Sequence, residues 1–436
     1  MPDHSTDYDL AILGGSIGSR LAAYTAVRRG ARVALISQAW RDNDVTRHLW
    51  HALHSANLKE DLGTWPTLRD WVGFQCEHTE LSPTILRTQG IDVILEPARF
   101  IGNLKLKLAS RYLKASRYLL TDGYGMSTSG MLQNNWLCHR LMQLDAIPQR
   151  IALVGHGAMA VEWAYALSRF ATVTLILLEQ VLLPAEDHDI QRLVSAQLKS
   201  LSINIVHTKE CLRDGVIPND DADLFVVVPQ PFAWETLGLE NLGIMTGKPI
   251  ATNRYLQTNC SQIYVSGGSL GGENRTELTQ QETMIALENA LFGRRHAMDY
   301  RQAFYGINLL SPIGHWGLTE RQAKEHYGAA AVEVVQASCL PEMAKHPAQT
   351  NFCKLITHGS RIVGVHLMGE EAATVVATLG NQPTMGTLSR QIARVIPGTL
   401  FDAIYQAADQ WKSRHWNEGQ WRRDWAENWF NLRRSI

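Results

Sequence analysis

Two glycine-rich turns carry the strongest chemical signal in this chain. Gly14, Gly15, Ser16, Ile17, Gly18 and Ser19 follow the apolar run Tyr8 to Leu13, and Gly155, His156, Gly157, Ala158, Met159 and Ala160 follow Ile151 to Val154. Small residues at such a turn let the backbone approach a pyrophosphate, whose charge then rests on the N-terminus of the next helix. The second turn matches G-x-G-x-x-A through Gly155, Gly157 and Ala160. The first is irregular: opened by Gly14, the motif has serines at both later glycine positions; opened by Leu13, it keeps Gly15 and Gly18 but lacks the tight-turn glycine. Each unit should also end its second strand on an acidic residue that binds a ribose. Ser37 stands at one of these positions, offering a hydroxyl in place of a carboxylate. The other strand ends in Leu177 and Leu178, with Glu179 two residues past Leu177. No arginine cluster awaits a 2′-phosphate, so NADH and NADPH are not distinguished. His156 reads either as a phosphate contact or as a solvent-facing turn residue.

Other reactive residue types give less. His48, His51 and His54 line one helix face but lack Cys or Asp partners at ligand spacing, so no metal is assigned. The six cysteines, Cys76, Cys138, Cys211, Cys260, Cys339 and Cys353, form no CxxC or CxxxxC pair; they read as buried free thiols. Forty-one Lys and Arg oppose 42 Asp and Glu, a net charge of −1, which removes the bulk electrostatic case for nucleic-acid binding. At 45% hydrophobic and 19% charged residues, the chain can fill several cores and is not compositionally disordered. The polar N-terminus lacks a signal-peptide layout, and no run of about 18 apolar residues occurs. The expectation is a soluble, cytoplasmic protein.

Both turns lie inside βαβ units, Tyr8 to Ser37 and Arg150 to Glu179, of the length that a parallel crossover needs. From about Asp299 the pattern changes to alternating strands such as AAVEVVQAS and FCKLITHGSRIVGVHLMG, which suits an antiparallel sheet flanked by helices. A chain of 436 residues has room for about three domains. The fold expected is α/β, with two Rossmann-like dinucleotide-binding domains and a C-terminal α+β domain.

The layout, together with VGHGAMAVEWAYAL, LLPAEDHDI (182–190), YLQTNCSQIYVSGG and HWGLTERQAKEHYG (315–328), resembles the pyridine nucleotide-disulfide oxidoreductase family. The resemblance implies a FAD-binding-type domain over 1–125 and 251–298, an NAD(P)-binding-type domain over 126–250, and a dimerisation domain over 299–410 carrying Gly317, Leu318, Thr319 and Glu320. It also implies FAD, NADH or NADPH, and a homodimer that builds each active site from both subunits. Gly14, Gly15, Ser16, Gly18, Ser19, Ser37, Gly123, Gly267 and Gly268 would meet FAD; Gly155, Gly157 and Ala160 would meet the nicotinamide dinucleotide. Glu162 would be the catalytic residue at the nicotinamide edge, unless it only caps or solvates locally.

Departures from the family pattern redirect the chemistry. The redox disulfide belongs just beyond Ser37, where the chain reads QAWRDNDVTRHLWHALHSANL with Val45 and Trp50 near the cysteine positions. Without a thiolate there, disulfide reduction is excluded. The histidine of the family's acid–base pair is replaced by Ile396. The strand-end ATG reads Thr121, Asp122, Gly123; the later ATGRxPN reads Val228, Pro229, Gln230, Pro231, Phe232; and Gly268 replaces the aspartate that binds the ribityl chain. Glu162 lacks its lysine partner, for which His51 or His54 is the substitute at hand. Trp40 and Trp50 would stack on the flavin or fill its space. The function expected is a FAD-dependent NAD(P)H oxidoreductase with a non-disulfide acceptor, the alternative being a dimeric scaffold without cofactors.

Residues 411–436 lie outside the resemblance. Trp421, Trp425, Trp429 and Leu432 fall on one helical face, joined by Trp411 if the helix is continuous, beside a net charge of +3. That stripe suits an anionic membrane surface or a protein groove, or packs over the dimerisation domain.

Overall fold

The computed structural model describes residues 6–56, 64–79, 81–124, 141–177, 181–207, 222–228, 234–246, 249–271, 275–342, 344, 346–380, 384–391, 395–418 and 420–434. Two compact units result, one of residues 1–185 with 198–299 and one of 186–197 with 300–436. Glu179, Pro229 to Phe232, Cys138 and Cys211 fall outside the described residues.

The first unit holds two sheets. Strand β1 (Tyr8–Leu13), helix α1 (Ile17–Arg28) and strand β2 (Val33–Ile36) form the first βαβ unit; helix α2 (Trp40–Ala56), helix α3 (Trp65–Glu77) and helix α4 (Pro83–Thr88) precede β3 (Asp92–Ile94). Short strands β4 (Arg99–Phe100) and β5 (Lys105–Lys107) lead into β6 (Tyr112–Leu120). The sheet runs β3-β2-β1-β6-β5-β4, with β11 (Ile263–Val265) also on β6. Its β1, β2, β3, β6 and β11 are mutually parallel. The two faces of β1 follow the strand period of two: Leu10 and Ile12 pack with Ala22, Ala23 and Ala26 of α1, while Ala11 and Leu13 pack with Tyr118 and Leu120. Small alanines let α1 lie close to the sheet.

The second sheet is β10-β7-β8-β9, all parallel, from β7 (Arg150–Val154), β8 (Thr172–Leu177), β9 (Asn204–His207) and β10 (Leu224–Val227). Helix α5 (Ala158–Leu167) crosses from β7 to β8. Helix α6 spans His188–Ser200, and α7 (Thr276–Phe292) follows β11.

The second unit is built on the antiparallel sheet β12-β13-β16-β15-β14, with β12 (Phe304–Ile307), β13 (Ile313–Gly317), β14 (Val332–Cys339), β15 (Asn351–His358) and β16 (Arg361–Met368). Helix α8 (Glu320–Tyr327) begins inside the GLTE motif, where Thr319 and Gln322 form a capping box. Helices α9 (Ala372–Leu379), α10 (Met385–Gln391) and α11 (Leu400–Glu418) follow, and α12 (Gln420–Arg434) is last.

Candidate functional site

In a parallel sheet, ligands gather beyond the carboxyl ends of the strands, where the order of connections reverses. In the first sheet that point lies between β1 and β6. The turn after β1, the Thr121–Gly123 segment after β6 and the Ser266–Gly268 segment after β11 converge there. A Cβ at Gly14 would overlap Ser19 Oγ and the Thr121 side chain, and one at Gly15 would overlap Ser37 Oγ and the Gly123 carbonyl. Gly18 has ordinary room around it, its nearest neighbour being Ser16 Oγ at 3.7 Å. The register opened by Gly14 therefore describes the steric demand better than the one opened by Leu13.

Polar groups of this cradle bond to one another. The Gly15 and Ser16 N–H groups both donate to the Asp122 carbonyl at 3.1 Å, and Ser19 Oγ donates to it at 3.1 Å. Ser16 caps α1 by accepting the Ser19 N–H. Buried Ser37 donates to the Gly123 carbonyl at 3.0 Å, beside Asn43 Nδ2 at 2.8 Å. Thus Gly14, Gly15, Ser16, Ser19, Ser37 and Gly123 do come together.

Asp122 does most to shape this cradle. Its Oδ1 accepts the Gly268 N–H at 3.0 Å and its Oδ2 the Thr279 hydroxyl at 3.2 Å. The Gly267 N–H donates to Glu282 at 2.7 Å, and Gly267 needs its positive φ of 81° because a side chain there would overlap the Asp122 carboxylate. Burial pushes the Asp122 carboxyl up to about 7, against the lowering effect of the Gly268 N–H and Thr279, with Glu282 adding repulsion. So the carboxylate missing at Gly268 has a counterpart reaching the same backbone N–H from the neighbouring strand.

In the second sheet a Cβ at Gly155 would overlap the Val228 carbonyl and press on Ala160 Cβ, and Gly157 is the N-cap of α5. Gly155 and Ala160 thus serve the close strand–helix crossing that a dinucleotide turn requires. His156 is half-buried, and its carbonyl accepts the Leu183 N–H at 2.8 Å. Glu162, on the buried face of α5, is held by Arg275 through two bonds, Nη1 to Oε2 at 2.9 Å and Nη2 to Oε1 at 2.8 Å, with both side chains 5% exposed. Arg275, and neither His51 nor His54, is thus the basic side chain that pairs with Glu162. His54 instead bonds the Trp50 carbonyl and lies against the Trp50 ring. Arg275 went unnoticed in the sequence because nothing local to it signals a partner 113 residues away.

Helix α2 is anchored beside the first glycine turn. Arg20 forms a buried pair with Asp44 at 2.7 Å, donates to the Gly15 carbonyl at 2.9 Å and lies 3.8 Å over the Trp40 ring. Trp40 is thereby a platform for Arg20. Four cysteines, Cys76, Cys260, Cys339 and Cys353, are described, all free; only Cys353 is fully buried, the others being half-buried, which corrects the uniform expectation of buried thiols. Burial pushes the Cys76 thiol up to about 11 and Cys353 higher, so neither is a thiolate at neutral pH.

The second unit contains two further polar clusters. Lys354 Nζ, 2% exposed, meets Asp187 at 2.6 Å and Asp189 and Glu320 at 2.7 Å each. Beside it, buried Glu186 accepts His315 Nδ1–H at 3.0 Å and the Tyr305 hydroxyl at 2.6 Å. Burial works against both charges of that pair, but their mutual attraction prevails, lowering Glu186 and raising His315.

Residues 8–286 match the family model described as pyridine nucleotide-disulphide oxidoreductase, and 310–398 match the dimerisation domain of that family. The chain belongs to this family. Mercuric reductase of Staphylococcus aureus is 25% identical over 426 residues, covering 86% of this chain and 77% of the relative. Dihydrolipoyl dehydrogenase of Bacillus subtilis is 25% identical over 469 residues, covering 93% and 98%. Among solved structures, LpdA of Mycobacterium tuberculosis superposes with a TM-score of 0.71 at 18% identity over 92% of this chain and 99% of that one. The flavoprotein disulfide reductase RclA of Escherichia coli gives 0.70 at 19% over 92% and 98%. The pyridine nucleotide-disulphide oxidoreductases are flavoprotein oxidoreductases, so the two Rossmann-like sheets and the antiparallel third one have the fold expected from the sequence.

One family position and the C-terminal segment remain. Ile396, at the position where the resemblance places the acid–base histidine, is 70% exposed. The C-terminal residues form the helical segments α11 and α12, between which Gly419 lies outside the described residues. Trp411 packs on the core of the third sheet, whereas Trp425 and Trp429 are 55% and 49% exposed and stack on each other. Among the described residues, no helix is long and apolar enough to cross a membrane.

Proposed function

We propose that this chain is a homodimeric, FAD-linked oxidoreductase that draws electrons from NADH or NADPH and passes them to an acceptor other than a disulfide, such as a quinone, another small oxidant or a protein. The observation that carries this reading is the cradle at the carboxyl edge of the first sheet, which keeps its close-approach glycines while α2 beside it carries no cysteine. Its donors suit an oxyanion: the Gly268 N–H and the Thr279 hydroxyl already grip a carboxylate, that of Asp122. The ribose position suits less well, since the Ser37 hydroxyl is engaged by Gly123. Gly14, Gly15, Ser16, Gly18, Ser19, Gly123, Gly267 and Gly268 would hold FAD, and Gly155, Gly157 and Ala160 would hold the nicotinamide dinucleotide. FAD bound there would supply hydride acceptance and onward electron transfer. Glu162, fixed by Arg275, would orient the nicotinamide edge. Uptake of FAD followed by bleaching with NADH or NADPH tests the proposal.

A second reading, a dimeric scaffold without cofactors, is favoured by the same internal bonds. Asp122 and the Glu162–Arg275 pair satisfy groups that a cofactor would otherwise meet. Protein that takes up no flavin supports this reading.

Helix α12 supplies a contact surface in either case. Trp425, Trp429, Phe430 and Leu432 are about half exposed, and Arg422, Arg423, Arg433 and Arg434 outnumber Asp424 and Glu427. Aromatic and basic side chains together bind an anionic lipid surface. Truncation at residue 419 should abolish co-sedimentation with vesicles containing phosphatidylserine; equal sedimentation of the full and truncated chains would assign the helix to protein contact.

A further inference from the structure

Two clusters of ligand-type side chains occur among the described residues, both in the second unit: Asp187, Asp189 and Glu320, and Glu186, His315 and His366. The first already holds a cation, the Lys354 ammonium. In the second, Glu186 is paired with the protonated His315 ring, and no Lys or Arg among the described residues enters it.

Both imidazoles are oriented by consecutive backbone carbonyls. His315 Nε2 donates to the Gly317 carbonyl at 3.0 Å, and His366 Nε2 to the Leu318 carbonyl at 3.0 Å. With Nε2–H fixed in this way, Nδ1 of each ring is the nitrogen a metal would take: in His366 it is an open acceptor, and in His315 the metal would displace the proton that Nδ1 donates to Glu186. His315 Nδ1 faces Glu186 Oε2 at 3.0 Å. His366 is 0% exposed, and its Nδ1 has no hydrogen-bond partner among the described residues. A buried acceptor without a partner is costly, and it calls for an explanation. One ligand atom from each of the three residues lies within 4.8 Å of the other two, a spread that a contraction of about 1 to 1.5 Å brings to the ligand separations of a tetrahedral site with metal bonds of about 2.0 to 2.2 Å. The other carboxylate oxygen of Glu186 accepts the Tyr305 hydroxyl at 2.6 Å, so the carboxylate is oriented as the rings are.

We propose that Glu186, His315 and His366 bind one divalent transition-metal ion of the zinc class. Two neutral imidazoles and a carboxylate are a borderline nitrogen–oxygen set, which selects zinc, cobalt or nickel over magnesium or calcium. The site lies within the second unit and is independent of flavin, so it stands or falls apart from the proposed redox function.

The test uses the full chain, stripped with chelator and dialysed, titrated with zinc chloride in a calorimeter. One zinc per chain is expected at micromolar affinity or tighter. Glu186→Gln and His366→Gln should each weaken that affinity by about a hundredfold, and Tyr305→Phe, which keeps all three ligands, by about tenfold. Cobalt added to the unaltered chain should give the intense visible bands of a four-coordinate site, so the outcome does not depend on the variants folding. Absence of saturable zinc binding, binding undiminished in the variants, or a weak six-coordinate cobalt spectrum would overturn the proposal.

Discussion

Lys354→Met should destabilise the second unit by about 3 to 5 kcal/mol, the cost of leaving the buried Asp187 carboxylate without its cation. Lys354 Nζ is the shared partner of Asp187, Asp189 and Glu320, and the side chains of Lys354 and Asp187 are 2% and 3% exposed. Burial opposes charge on each. For Asp187 the Lys354 ammonium and the Glu320 N–H outweigh that cost and hold the carboxyl below the usual range. Burial also opposes the Lys354 charge, but the three carboxylates hold it above its ordinary value. The depressed Asp187 contributes stability that is present above the unfolded carboxyl value of about 3.9 and lost as pH falls through the lower folded value. The raised Lys354 contributes below about 10.4 and loses its contribution as pH rises through the folded value. Denaturant titration with amide exchange on β15 and β16 measures the loss. Lys354→Met combined with Asp187→Asn should recover part of it; a single variant as stable as the parent chain would refute the assigned role.

The second large effect belongs to Asp122. Its carboxyl, near 7 in the fold against an ordinary 3.8, is raised by about three units, worth about 4 kcal/mol at 1.36 kcal/mol per unit. Because the folded value is the higher one, the contribution is fully present below about 4 and lost as pH rises from there through 7. The first unit should therefore be less stable at pH 8 than at pH 5, and Asp122→Asn should flatten that slope. Flavin affinity should move the same way, since an ionised carboxylate on the Gly268 N–H competes with and repels a pyrophosphate. Asp122→Thr, which restores the threonine of the family's ATG motif, should raise FAD affinity at pH 8 by roughly tenfold or more. Unchanged affinity and an unchanged slope would remove Asp122 from the cradle.

Those two residues show where sequence reading succeeds and where it stops. The βαβ units and the GLTE motif were legible because glycine turns, strand periodicity and the Thr319 capping box are local patterns. Asp122 was visible as a departure from ATG, but not as the partner of Gly268, because only the pairing of β6 with β11 brings them together. Lys354 and the Glu186–His315 pair were missed for the same reason: their partners lie 167 and 129 residues away.

The proposed redox function is tested most directly by the visible absorption spectrum of the purified chain, incubated with FAD at pH 6, freed of excess and reduced anaerobically with NADH or NADPH. The account predicts retained flavin that bleaches with one of the two nucleotides and is reoxidised by a quinone but not by glutathione disulfide or lipoamide. A colourless protein that retains no flavin would contradict it and leave the cofactor-free dimer, and reoxidation by a disulfide would contradict the assignment of the acceptor.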